Sequence, residues 1–431
     1  MRDDAVRGRP VVTVQPALVH SVTHRDRQPA AWSTPPRLLA IGTYFRDYPS
    51  NALLLAAARA LGCSVTEVTT PVLAQLTDRL SPFHNLLRLG NLGFRVACAE
   101  ARLLWGASRR LVASHDVLFI GYPGQLDALL FGRLARASSK PLVYAPLVTL
   151  SETLVEDRAV VPPNSPRARL LRWLDRAALR AATVVIADTA EHARAMQALS
   201  GLPPSRFAIV PVGADEALFD PERVSPAQRA AYRRQWPNAD AEPLRVLFYG
   251  SFIPLHGTAT IVQAIAQLSA SEVSCVMIGA GQCWEQAYNL AADAALRHMR
   301  FRPPVPANEL PRWIAAADVV LGIFGDTAKA AQVVPNKVYQ AMAMGAALVT
   351  RESPAVRSLL QHDRTAVLVP PADPAALAAA IRRLRDPALR ARLGAAARET
   401  FLQQASAPVR QRLLQQALEM AYARVRGDGG R

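Results

Sequence analysis

Three glycine-bearing turns carry the residue types that hold phosphate. The first is Tyr249-Gly-Ser-Phe-Ile-Pro-Leu-His-Gly257, running into Thr258-Ala-Thr-Ile-Val-Gln-Ala-Ile265. An apolar run ends at Tyr249, Gly250 permits a tight turn, and Ile261, Ile265 and Leu268 recur on one helical face. Strand, glycine turn and helix N-terminus in that order offer free backbone N–H groups and a helix dipole to an anion. The run is neither a P-loop nor a full GxGxxG, and a plain strand-to-helix turn has the same spacing. The second turn lies in Gly322-Ile-Phe-Gly-Asp-Thr-Ala-Lys-Ala-Ala-Gln-Val-Val-Pro-Asn-Lys-Val-Tyr-Gln-Ala-Met-Ala-Met-Gly345. Lys329 and Lys337 stand here, two of only three lysines in the chain. Where nearly every other cation is arginine, a retained lysine marks a position suited to a compact ammonium, although chance clustering gives the same pattern. The third is Gly279-Ala-Gly281-Gln282, which reads equally as a ligand contact or as a loop closing a strand.

Such turns need a parallel sheet behind them, and the chain supplies one twice. Apolar runs without polar alternation at 37–42, 64–69, 116–120, 141–144 and 183–187 read as buried strands. Helical stretches at 51–62, 84–112, 125–137 and 167–181 separate them. Unalternating strands joined by helices are the pattern of a parallel sheet covered on both faces. Ile209-Val-Pro-Val-Gly213 ends this half. A second succession opens at Leu244, with strands at 244–250, 273–279, 299–301, 319–323, 346–350 and 366–369, and helices over 374–386, 387–402 and 409–424. The expected class is α/β, two Rossmann-like halves facing across a cleft, where ligands of such pairs bind. The expected organisation is a mobile tail over 1–35, a first half over 36–215 and an interdomain segment over 216–243. A second half follows over 244–405, then a helix over 406–425 that returns to the first half.

All but three of the 50 basic side chains in this 431-residue chain are arginine, against 34 acidic ones, for a formal net charge of +16. An apolar fraction of 51% excludes disorder, and the length suits two cored domains. No apolar run approaches the roughly 18 residues of a membrane span, and no apolar h-region follows the N-terminal arginines. Cys63, Cys98, Cys275 and Cys283 form neither a CxxC nor a disulfide framework, so a reducing cytoplasm is the expected compartment. The net charge attracts phosphate in any form. Its arginines are spread without a dense block, however, as a GC-rich genome also produces, and no nucleic-acid-binding pattern accompanies them. Nucleic acid is therefore not an expected partner. With no DxD and no His/Cys cluster, neither a metal nor a cofactor is implied. One local exception stands out: Arg88, Arg95, Arg102 and Arg109 recur every seven residues on one stripe of a helix whose only acid is Glu100. This reads either as an amphipathic helix on anionic lipid headgroups or as an ordinary solvated face.

The run from Leu247 to Leu360 resembles the retaining GT-B glycosyltransferases of family four, which transfer sugars from nucleotide diphosphosugars. The residues that carry the likeness are the glycine loop 250–257, Gly279-Ala-Gly281, Asn336-Lys-Val-Tyr-Gln-Ala-Met-Ala-Met-Gly345 and Leu348-Val-Thr350. Ala187-Asp-Thr-Ala-Glu-His192 and Val210-Pro-Val-Gly-Ala-Asp215 extend it into the first half, so the likeness covers about 36–425. It implies that Gly250, Ser251, Gly257, Gly279 and Gly281 approach the donor, with Asn336 beside them. The Arg and Lys that the family usually carries after this loop are replaced by Phe252, Pro254 and His256. The resemblance then assigns the missing charge to Lys337 and Lys329, with His256 adding a hydrogen bond. Two family glutamates, one on the sugar and one on the ribose, correspond to Gln332 and Gln340, which keep hydrogen bonding but bring no charge.

The implied activity is transfer of a sugar to a glycan or lipid-linked acceptor in cell-surface polysaccharide or glycolipid synthesis, at the inner face of the membrane. Asp157 and Arg158, in the polar stretch 151–158, read as the acceptor side or as an exposed ion pair, and His115 as structural. Two other classes remain: a nucleotide-sugar-binding homologue with weak catalysis, and a two-lobed binding protein for a small ligand.

Overall fold

The computed structural model describes residues 34–70, 86–106, 109–238 and 242–428. Residues 1–33, where most of the expected tail falls, lie outside the described residues. The first half forms a six-stranded parallel sheet in the order β2-β1-β3-β4-β5-β6. Its strands are β1 (Arg37–Gly42), β2 (Ser64–Thr69), β3 (Val117–Ile120), β4 (Leu142–Tyr144), β5 (Val184–Ala187) and β6 (Phe207–Ile209). The connecting helices are α1 (Pro49–Ala60), α2 (Leu86–Gly106), α3 (Arg109–Ala113), α4 (Gln125–Ala137), α5 (Pro166–Ala181) and α6 (Ala190–Ser200).

A single apolar cluster joins Leu103 of α2, Phe131 of α4, Ala178 of α5 and Ala193 of α6 to Leu39, Ile41, Leu118, Ile120 and Val185 of the strands. These four helices therefore cover the same face of the sheet. Alternate strand residues such as Leu38, Ala40, Val117 and Phe119 are equally buried on the other face, as a doubly covered parallel sheet requires.

In the second half the interdomain stretch 216–243 is not a bare linker. It carries α7 (Pro226–Arg233), and Phe219, Val224 and Trp236 join the core around Trp313. The second sheet, also parallel, runs β12-β11-β10-β7-β8-β9. Its strands are β7 (Leu244–Tyr249), β8 (Val273–Ile278), β9 (Met299–Arg302), β10 (Val319–Leu321), β11 (Leu348–Arg351) and β12 (Val367–Val369). Around them stand α8 (Thr258–Ile265), α9 (Trp284–Asp293), α10 (Leu310–Ala316), α11 (Ala328–Gln332) and α12 (Asn336–Ala343). The chain closes with α13 (Pro354–Arg357), α14 (Pro374–Arg383), α15 (Pro387–Gln404) and α16 (Ala407–Asp428).

In this sheet the strand order reverses between β7 and β10, so the crevice at their carboxyl ends is a topological switch point, where ligands of open α/β sheets bind. The turns that leave those two strands begin at Gly250 and Gly322. The topology thus brings the first two glycine turns of the sequence to one place.

One local expectation changes. The polar stretch expected as a loop before α5 is instead a π-helical turn, Glu152–Asp157, a form that recurs at functional sites. The basic stretch expected as one helix is described as α2 and α3, and the intervening residues 107–108 lie outside the described residues.

Helix α16 packs against α1 and the strands β4, β5 and β6, so the end of the chain covers the first sheet. Leu414, Ala417, Leu418 and Ala421 are its buried side chains, and Arg410 ties its start to the carbonyls of Ala405 and Ala214. Leu418→Ala is expected to lower the free energy of unfolding by about 2–5 kcal/mol in urea melts. A loss under about 1 kcal/mol would mean that this contact is not part of the core.

Candidate active site at the cleft

Gly250 leaves β7 with φ +141°, a conformation that side-chain-bearing residues avoid, and a Cβ there would lie 2.9 Å from Nζ of Lys337. The bare turn is what makes room for the lysine head. Lys337 enters from the first turn of α12, and its ammonium rests 4.0 Å above the centre of the Phe248 ring. It is buried and has no hydrogen-bond partner among the described residues. Burial holds its pKa well below the ordinary lysine value. A cation in that condition is costly unless an anion joins it. The Pro335 N-cap of α12 contributes no side-chain cap, so the positive end of the helix dipole lies close by.

His256 stands across the same turn. Its Nδ1–H donates to the Ser251 carbonyl and closes the glycine loop on itself. Burial, together with the charge of Lys337, holds the imidazole well below its usual pKa, so it is neutral. Its role in this geometry is to shape the loop. Gly257 ends the loop at φ +62° and caps α8, whose N-terminus has no side-chain cap. Gly279 lies against the Gly250 carbonyl with no space for a Cβ, so the turns after β7 and β8 touch backbone to backbone. Gly281 packs equally closely on Phe252, while Ser251 at the loop start is exposed. Asn336 and Gln340 lie half-buried on α12, one and three residues from Lys337.

The second lysine is placed otherwise than expected. Lys329 Nζ donates 2.9 Å to Thr153 Oγ1 in the π-helical turn of the first half. Burial lowers its pKa, while Glu152 and Asp157 oppose that shift. Its charge is thus shared with two carboxylates of the opposite half before any ligand is considered. The same seam contains Thr327 Oγ1 donating to Asp157 at 3.3 Å, Gln282 Nε2 donating to the Arg158 carbonyl at 3.1 Å, and Thr189 Oγ1 donating to the Gln332 carbonyl. Asp157 and Arg158 are not an exposed pair. Their side chains are 0% and 19% accessible, the ions lie 3.5 Å apart, and Asp157 Oδ2 and Arg158 Nε have no hydrogen-bond partner among the described residues. Burial raises the Asp157 pKa and lowers that of Arg158. Through its carbonyl, which accepts from Gln282, Arg158 lies beside the turn after β8.

Three residues without an assigned role in the sequence reading hold the seam from behind. His192 is fully buried, with Nδ1 2.7 Å from Asp188 and Nε2 3.1 Å from Glu152. Burial pulls the imidazole pKa down, but the two carboxylates overcome it and hold it at about 10. Glu152, also opposed by burial, is held at about 2 by His192 and Lys329. The signal was available: Asp188 and His192 stand four apart at the start of a helix, on one face, with Thr189 capping it. Glu152, Glu156, His192, Thr149, Ser151 and Gln332 line a pocket of about 190 Å³. The Gln332 Oε1 has no partner among the described residues. His115 bonds Leu111 and Thr66 near the start of β3, a structural role.

Stability drawn from His192 is complete below the unfolded-state pKa of about 6.5 and is lost as pH rises through about 10. Glu152 contributes in the opposite sense: fully above about 4.5, and lost as pH falls through about 2. His192→Gln is expected to cost about 3–5 kcal/mol near neutrality, by leaving two carboxylates buried without their cation. It is also expected to flatten the decline of stability from pH 7 to about 10 in urea melts. An unchanged slope would reject the ion network.

Comparison with known proteins adds the family. Residues 243–386 match the model described as glycosyl transferases group 1, and residues 50–213 match the glycosyl transferase 4-like domain. The chain is 30% identical over 336 residues to a D-inositol 3-phosphate glycosyltransferase of Kineococcus radiotolerans, covering 73% of this chain and 74% of that one. A protein of the same name from Thermomonospora curvata is 28% identical over 67% of this chain and 69% of that one. Similar folds include HepE of Anabaena in complex with UDP and glucose (TM-score 0.64, 17% identity, 89% of this chain and 99% of that one). Sucrose-phosphate synthase of Thermosynechococcus elongatus is comparable, with TM-score 0.65, 18% identity and coverage of 90% and 100%. Membership of an enzyme family sets aside the two-lobed binding-protein reading. Two parallel Rossmann-like sheets, glycine turns at the switch point of the second and matches along both halves make this chain a GT-B glycosyltransferase of the group-1, family-four type.

Proposed function

We propose that the cleft binds a nucleotide diphosphosugar and transfers its sugar, with retention at the anomeric carbon, to a glycan or lipid-linked acceptor. The observation that carries this reading is the buried Lys337 head group, which lies against the Gly250 turn and has no hydrogen-bond partner among the described residues. A donor diphosphate supplies the anion. It lies on the backbone of Gly250, Ser251 and Gly257, flanked by Gly279 and Gly281, with the helix N-termini of α8 and α12 behind it. Asn336, Gln340 and Gln332 offer amides to the sugar and ribose, and Asp157 and Arg158 face the acceptor from the first half. Lys329 acts by holding Thr153, and hence the π-helical turn, against the second half. The similarity to D-inositol 3-phosphate glycosyltransferases and to HepE, which is seen with UDP and glucose, supports the substrate class.

In the reaction, the bond between the anomeric carbon and the leaving phosphate oxygen breaks. The acceptor oxygen bonds the same face of the sugar, and the acceptor proton passes to that phosphate oxygen. No protein base is needed. The enzyme supplies positioning and stabilisation of the leaving charge by Lys337 and the helix N-termini. A second reading, a homologue that binds the donor with weak turnover, is favoured by Gln332 and Gln340 at the positions where the family carries glutamates.

We place the enzyme on the cytoplasmic face of the cell membrane, in polysaccharide or glycolipid synthesis. Support comes from α2, where Arg95 and Arg102 are exposed beside Phe94 and a 91% accessible Trp105. The side chains of Arg88 and Arg109 lie outside the described residues. Among the described residues no helix is long and apolar enough to cross a membrane, so contact would be peripheral.

Calorimetric titration with UDP, GDP and ADP should show binding of at least one. Binding of none would overturn both readings. In transfer assays over a panel of UDP-, GDP- and ADP-sugars, Lys337→Ala should lower the rate at least ~100-fold. An unchanged rate would remove Lys337 from the leaving-group site, and nucleotide binding without turnover of any donor would favour the second reading.

A further inference from the structure

Helices α2, α4 and α5 cover one face of the first sheet, and their charges are segregated by sign. The acids of these three helices are Glu100, Asp127 and Asp175, and all three are buried. Burial pushes Glu100 up to about 9 beside Asp127, which accepts from Thr43, while Asp175 accepts from the backbone of Leu150 and Ser151. Several of their arginines are exposed instead. Between α4 and α5 lies an open groove of about 370 Å³, lined by Arg133, Arg136, Arg176 and Arg180 beside Trp173. All four guanidinium-bearing residues are exposed, and no carboxylate lines the groove. Arg176 and Arg180 each spend Nε on a backbone carbonyl, of Leu199 at 3.0 Å and Ser200 at 2.7 Å. Those bonds fix the stems and leave the outer N–H groups of the fork to a ligand, the arrangement that suits phosphate. On the same helix Leu170 and Trp173 are 61% and 58% accessible, so apolar groups flank the cations.

We propose that the α4–α5 groove binds the phosphate of an anionic lipid headgroup and, with α2, seats this face of the first half on a membrane surface. The choice of lipid over a soluble phosphate rests on the membrane-facing reading of α2. Exposed indole and leucine beside exposed arginines match an interface that is anionic at its surface and apolar beneath. A soluble phosphate would leave Trp173 and Leu170 unused. The groove lies outside the donor cleft, and its residues take no part in the transfer described above.

The test uses the full chain and vesicles of phosphatidylcholine with and without phosphatidylglycerol, read by co-sedimentation and by Trp fluorescence. The wild type should bind only the anionic vesicles. Arg133→Ser/Arg176→Ser should weaken that binding about 25-fold, a factor of about five for each cation near an anionic surface. Arg133→Lys/Arg176→Lys should recover most of the loss. Arg95→Ser/Arg102→Ser is measured in parallel. If it loses binding while the groove pair does not, the groove proposal fails and the α2 reading stands; if neither loses binding, both fail. Glycerol phosphate that displaces the protein from vesicles at equal phosphate concentration would identify a soluble ligand and overturn the proposal. Tighter binding to a short DNA duplex than to anionic vesicles at the same salt would also overturn it. Thermal melts and nucleotide titration of the same preparations separate a folding defect, or a failure of the transferase reading, from a loss specific to the groove.

Discussion

The second half is built around a buried lysine head group that has no hydrogen-bond partner among the described residues. Lys337 reaches the switch point because α12 follows the turn after β10, and it fits there because Gly250 has no side chain. The Phe248 ring lies under its head group, a cation–π geometry of modest strength. Everything around it is arranged on backbone: the turns after β7 and β8 touch, and His256 is spent on the Ser251 carbonyl. Main-chain donors and a buried lysine are the groups that the proposed diphosphate would meet.

The first half is coupled to that site by polar contacts of short side chains. Thr153, Asp157 and the Arg158 carbonyl meet Lys329, Thr327 and Gln282, and the Asp188–His192–Glu152 network fixes the π-helical turn from which the first three project. Each contact is modest alone, about 1 kcal/mol net for an ordinary hydrogen bond. A seam of this kind can separate and re-form, whereas a large apolar interface would not. The ionic network behind it is different in kind. It is fully buried, and removal of one member strands charge, so it sets the shape of the turn while the seam in front remains weak.

Much of the architecture was legible in the residues. The unalternating apolar runs announced parallel strands, and the glycine turns marked the carboxyl ends of β7, β8 and β10. The scarcity of lysine drew attention to Lys337, and the structure does put it at the crevice. The same reasoning misplaced Lys329, because a rare residue type says nothing about which neighbour will claim its charge. It also left Asp157 and Arg158 open to reading as an exposed ion pair, whereas their side chains are 0% and 19% accessible. The π-helical turn was read as loop because a π turn has no side-chain periodicity of its own to detect.

What the sequence determined by itself is local: where strands end, which turns need glycine, which helices are capped, and that positive charge greatly exceeds negative. These follow from steric limits and hydrogen-bonding rules acting within a few residues. Only the tertiary structure decided partnership. It joined residues 188 and 192 to 152 and residue 329 to 153, and it gathered arginines from 133 to 180 into one groove while turning Glu100, Asp127 and Asp175 inward. The reason is physical. A buried charge must find its counter-ion among whatever the crossover connections bring near, and those connections span tens of residues that no local pattern encodes.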